Sequence, residues 1–102
     1  MKVQIEENLE IDKVTGIKEP SMYSIVMFND DITTMEFVVN VLETIFYKTS
    51  EDARTIMLDI HFNGSGVAGT FTYDIAITKK IIVDQMSQKR GFPLKLIVNE
   101  AI

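Results

Sequence analysis

Cysteine and tryptophan are absent from the chain, histidine occurs once and proline twice in 102 residues. Without thiols there is no disulfide staple, no thiolate metal site and no cysteine nucleophile, and the redox compartment is left open. A single imidazole excludes a paired-histidine metal site and any relay through a second imidazole. No apolar run approaches the ~18 residues of a membrane span, and Met1 to Pro20 lack the apolar core of a secretory leader, so a cytoplasmic protein with no membrane association is expected. Cationic residues are also scarce: ten Lys and Arg stand against fifteen Asp and Glu, for a net charge of −5. This balance disfavours nucleic acid as a partner, because its binders concentrate Lys and Arg on one face. Ammonium groups or basic partners suit such a chain better.

The signatures of catalysis are missing too. None of Ser21, Ser24, Ser50, Ser65 and Ser87 stands in a Gly-x-Ser-x-Gly elbow. Asn63-Gly64-Ser65-Gly66 lacks the lysine and spacing of a phosphate loop and reads as a helix stop leading into a turn. Asp30 and Asp31 fall short of the ~6–8 oxygen ligands of a calcium cage. A protein without enzymatic activity, cofactor or metal is expected.

What remains is an ordinary single-domain composition, 46% hydrophobic. A domain of this size buries somewhat over ~60% of its unfolded surface, so a ligand is expected in a surface groove rather than an internal cavity. Residues 1–20 mix charges with scattered aliphatics, without a clear period, up to Pro20, and are expected to form a mobile N-terminal extension to a core domain over 21–102. Met22 to Phe28 predict a strand that stops at the turn formers Asn29, Asp30 and Asp31. Thr33 followed by Glu36 has capping-box spacing, and Val38, Val41, Leu42 and Ile45 continue as a helical stripe, predicting a helix to about Lys48. Thr49 with Glu51 and Asp52 starts a second helix to about Phe62, with Ala53, Ile56, Met57, Ile60 and His61 on its buried edge. Val67 to Thr72 read as a strand. Thr72 and Asp74 cap a third helix that runs to about Arg90 and stops at Gly91, and Leu94, Leu96 and Val98 alternate as a closing strand. The order β-α-α-β-α-β predicts an α+β fold, with three helices on one face of a small, largely antiparallel three-stranded sheet.

Three features could carry function. Asn29, Asp30 and Asp31 lie between a strand end and a helix start, where they either bind something cationic or simply make a turn. His61 is either a structural edge histidine or part of a site. The six methionines either fill core gaps or line an adaptable apolar pocket, with Met35 and Met57 near the acidic loop and His61 respectively.

Taken in order, Pro20-Ser21-Met22-Tyr23, Asn29-Asp30-Asp31, Thr34-Met35-Glu36-Phe37-Val38, Met57-Leu58 with His61, Gly69-Thr70-Phe71-Thr72, Thr78-Lys79 and Pro93-Leu94 resemble the ClpS adaptor family, over about Pro20 to Glu100. The resemblance implies an adaptor that recognises N-degrons through a free amino terminus and a bulky hydrophobic first residue (Leu, Phe, Tyr or Trp). It also implies delivery of these substrates to the AAA+ unfoldase ClpA for degradation by ClpP, and a monomeric adaptor. Carried over by position, Asn29, Asp30 and His61, with Asp31 beside them, would hold the α-ammonium and first peptide group. Thr33, Met35, Val38, Met57 and Leu94 would line the first-side-chain pocket, Met35 acting as a gate against β-branched residues. Asp74 and Lys79 on the third helix would dock the unfoldase, to whose pore the N-terminal extension would be offered. The chain departs from the family pattern at Thr34, where proline is common, at Asp74, shorter than the usual glutamate, and at Ile77, where a charge is frequent. The alternative is a protein-binding module of ribosomal-stalk-like architecture that uses the third helix and ignores free amino termini.

Overall fold

The computed structural model describes residues 21–101. The extension expected over 1–20 lies outside them.

Alternation organises the sheet. In β1 (Met22–Phe28) Ile25 and Met27 are fully buried, whereas Ser24, Val26 and Phe28 are only half-buried, the period-two pattern of a strand with one face on a core. β1 is the central strand: β2 (Ser65–Thr72) and β3 (Lys95–Glu100) flank it, both antiparallel, in the order β2-β1-β3. Val98 stands opposite Ile25 and Leu96 opposite Met27, so the apolar positions of neighbouring strands fall on the same face. The register with β2 slips between Ile25 and Val26, a local bulge that accommodates the fully buried Ala68.

The helices cover that apolar face, giving the expected β-α-α-β-α-β order and a two-layer α+β fold. α1 (Met35–Thr44) packs on α2 (Ser50–Asn63), α2 packs on β2, and α3 (Tyr73–Arg90) lies against all three strands. Close approach of α2 to the sheet explains Gly66, where a Cβ would sit 2.9 Å from Ile60 Cγ1. Phe37, Val38, Val41 and Leu42 from α1, Ala53, Met57 and Ile60 from α2, and Ala76 and Val83 from α3 meet Ile25, Met27 and Leu96 in one hydrophobic cluster. Among the described residues no helix is long and apolar enough to cross a membrane.

Both ends of α1 depart from the sequence reading, and at the start of α3 the N-cap Thr72 makes no side-chain cap hydrogen bond. The N-cap of α1 is Thr34, whose hydroxyl accepts from Phe37 N at 3.1 Å; Thr33, the expected cap, is turned toward Asp30 instead. α1 also stops at Thr44 rather than near Lys48. There Tyr47 takes a left-handed conformation (φ 55°), the Lys48 amide returns to the Leu42 carbonyl at 3.0 Å, and the Lys79 ammonium of α3 takes the Ile45 carbonyl at 2.7 Å. Carbonyls that another helical turn would have satisfied are thus met by a turn and by a distant side chain. α2 behaves as expected, with Thr49 Oγ1 accepting from Asp52 N at 3.1 Å and Gly64 closing the helix at φ 92°.

Candidate functional site

The loop from Asn29 to Thr34 is built around one carboxylate. Asp30 Oδ1 accepts from the amides of Ile32 (2.8 Å) and Thr33 (2.6 Å), and Oδ2 accepts from the Thr33 hydroxyl (2.8 Å). Partial burial by itself would raise the Asp30 carboxyl, but the Thr33 amide, the Thr33 hydroxyl and the Ile32 amide outweigh it, and the group is held below the usual carboxylate range. Asp30 is therefore a fixed anion that also shapes the loop. An ionised carboxylate offers about four lone-pair sites, so these three bonds leave it capacity for a further donor.

The loop is joined to the end of α2. Asn29 N donates to Gly64 O at 2.9 Å, and Gly64 N donates to Ile60 O at 3.0 Å, which ties the strand end to the final turn of the helix that carries His61. His61 is exposed, not on the buried edge expected from the stripe, and its ring meets Phe62 edge to face at 4.7 Å between centroids. The physical reason is the width of the stripe: the buried side of α2 is made by Ala53, Met57 and Ile60, and His61 falls outside it. Asn29 and Asp31 are exposed as well. The loop and the helix end thus form one open polar corner containing a fixed anion and an accessible imidazole.

The expected apolar residues divide into two groups. Met35 and Met57 both line a groove of about 420 Å³ between α1 and α2, with Met35 46% exposed and Met57 at the edge of burial. The remaining walls are Glu36, Val39, Asn40 and Glu43 from α1 and Arg54 from α2. Thr33, Val38 and Leu94 do not line this groove. Val38 and Leu94 are buried with Met57 in the hydrophobic cluster, the outer side of Leu94 faces a separate cleft beside Phe92, Pro93 and Lys95, and Thr33 serves the Asp30 loop. Asn40, Glu43 and Arg54 are not singled out by the sequence patterns, because the groove exists only where two helices meet.

On α3, Asp74 is exposed. Lys79 is not: its ammonium is turned inward onto Ile45 O, 4.9 Å from the Tyr47 ring centroid and 5.2 Å from that of Phe71. Ile77 is half-buried; the exposed isoleucine of the first turns is Ile75. Among the described residues no cluster of three or more His, Asp or Glu side chains is placed to hold a metal.

Known proteins resemble the chain along almost its whole length. The family model described as ATP-dependent Clp protease adaptor protein ClpS matches residues 18–97. The ATP-dependent Clp protease adapter protein ClpS of Acetivibrio thermocellus is 46% identical over 96 residues, covering 92% of this chain and 97% of its own. That of Helicobacter hepaticus is 48% identical over 86 residues, covering 84% and 87%. Among solved structures, Agrobacterium tumefaciens ClpS2 bound to L-phenylalaninamide superposes with a TM-score of 0.77 at 32% identity, covering 81% of this chain and all of that one. With the family model spanning most of the chain, and the predicted helix and strand order reproduced in the fold, the protein belongs to the ClpS family of adaptors of the ATP-dependent Clp protease.

Proposed function

We propose that the protein is an N-degron adaptor: it binds the free α-amino group and bulky hydrophobic first residue of a substrate and delivers that substrate to a ClpA-type AAA+ unfoldase for degradation by ClpP. The observation that carries this reading is the joining of the Asn29–Asp31 loop to the His61 turn through the Asn29–Gly64 hydrogen bond, beside the apolar Met35 and Met57. An α-ammonium brings a charge and three donors, and the corner offers the Asp30 carboxylate, the Asn29 amide oxygen and a His61 ring nitrogen as acceptors. The ligand of the Agrobacterium relative supports the same chemistry, since L-phenylalaninamide combines a free α-amine with an aromatic side chain and a following amide.

In this reading Thr33, Val38 and Leu94 join Met35 and Met57 around the first side chain. Val38 and Leu94 lie in the same buried cluster as Met57, and Met35 is the exposed member of the set. Asp74 provides the unfoldase contact. Lys79 contributes to it by fixing the end of α1 against α3, and the protein acts as a monomer in the cytoplasm.

The test is fluorescence anisotropy with a labelled peptide that begins Phe or Leu and with its acetylated twin. Each charge-assisted hydrogen bond is worth ~1.5–3 kcal/mol, so acetylation should weaken binding on the order of a hundredfold. Equal binding of the two peptides, or none of either, would remove the amine site and leave the stalk-like alternative.

A further inference from the structure

The α1–α2 groove continues past the two methionines, and its walls carry opposite charges. The helices run antiparallel: Ser50 Oγ at the start of α2 donates to Glu43 Oε2 near the end of α1 at 2.7 Å, while the start of α1 and the end of α2 flank the Asp30 loop. Moving away from the amine corner, the groove passes Met35 and Met57 and then runs between Glu36, Asn40 and Glu43 on α1 and Arg54 on α2. Among the described residues neither Glu36 nor Arg54 enters an ion pair or a side-chain hydrogen bond; the ion pair that does form, Lys80 with Asp84, is on α3. Both charges therefore flank the groove uncommitted, among the apolar lining residues Met35, Val39 and Met57.

Length relates this stretch to a peptide. Arg54 precedes His61 by seven helical positions, which places it about 10 Å along the axis at the usual rise of an α-helix. An extended chain advances ~3.3 Å per residue, so a peptide whose amino group sits at the Asp30–His61 corner brings roughly its second and third residues to this part of the groove. Successive side chains of an extended chain point to opposite sides, so one of these residues faces the α1 wall and the next faces the α2 wall.

We propose that the α1–α2 groove is a second substrate subsite that reads the two residues following the first with opposite charge preference, Glu36 and Glu43 favouring a basic side chain and Arg54 an acidic one. This inference rests on the N-degron reading. The occupant is the continuation of the degron peptide, because the groove shares Met35 and Met57 with the site for its first residue and presents a charge pattern that an extended peptide can complement.

The experiment measures anisotropy with free-amine peptides that begin Phe and carry Ala-Ala, Lys-Glu or Glu-Lys at positions two and three, using the full chain and its Arg54→Glu and Glu36→Lys variants. Exposed charge pairs of this kind are worth about a two- to fivefold change in affinity. One of the two charged orders should bind tighter than Ala-Ala and the other weaker by that factor, the difference should shrink at high salt, and the two variants should each move it toward the opposite order. Equal binding of all three peptides within error, or a difference that both variants leave unchanged, would overturn the subsite. The Phe-Ala-Ala peptide and its acetylated form serve as the internal control: if the free amine fails to bind in preference, the N-degron reading itself has failed, whereas free-amine selectivity without charge discrimination removes the subsite alone.

Discussion

Asp30 shows how one side chain both folds a loop and equips a site. Its carboxyl is held below the ordinary range, so any stability it contributes is fully present above the unfolded-state value near 3.8 and is lost as pH falls through the lower folded-state value. Carbon-detected NMR titration should give Asp30 a midpoint below 3.8, and between pH 5 and 7 its contribution to stability should be flat. A midpoint above 3.8 would mean that the three hydrogen bonds to the loop do not form in solution. Met35 makes a separate contribution as an exposed, flexible side chain at the mouth of the groove. Met35→Ala should admit peptides beginning Ile or Val that the parent protein rejects. Continued rejection by the variant, in the same anisotropy assay, would show that some other residue excludes β-branched first residues.

At the level of elements, Lys79 links α3 to the end of α1. Its ammonium satisfies the Ile45 carbonyl and sits among the rings of Phe46, Tyr47 and Phe71. Lys79→Met keeps the alkyl stem but removes the hydrogen bond and the cation–π contact, with an expected loss of about 1–3 kcal/mol. Thermal unfolding should show this as a fall of several degrees, at roughly 4–8 °C per kcal/mol for a domain of this size, without any partner present. An unchanged midpoint would indicate that Lys79 is free in solution and available for docking. The same residue marks the limit of what the sequence disclosed. Strand β1 and the start of α2 were legible because alternation and the Thr49 cap are local signals. The end of α1 was not, because it is terminated by a tyrosine in a left-handed conformation, where glycine is the usual marker, and by a lysine from another helix. The cap of α1 was displaced by one residue because Thr33 and Thr34 are both competent, and only the position of Asp30 decides between them. The polar corner was legible as residue types, but its assembly, the exposure of His61 and the opposing walls of the groove depend on which helices meet.

For the whole molecule, the two proposed functions occupy different parts of one helical layer. The degron corner and groove belong to α1, α2 and the loop after β1, whereas the docking acid Asp74 is on α3, which packs against the strands. Substrate and unfoldase should therefore bind together. In titrations against the isolated amino-terminal domain of a ClpA-type unfoldase, a saturating Phe-first peptide should change the adaptor's affinity by less than about twofold, well under the ~1–3 kcal/mol typical of coupled sites. Strong competition would place the two contacts on one surface. The hydrogen bond from Asn29 to Gly64 has a consequence in time as well as in space. It joins residues separated in the chain by the whole of α1 and α2, and it lies at the end where Phe28 pairs with Ser65. Contacts between such distant segments form only after the intervening loop has been closed, so the amine corner comes into being with the β1–β2 pairing and not before it. On the proposed reading, a copy of the chain in which β1 and β2 have not yet paired lacks the corner and would have no grip on a degron.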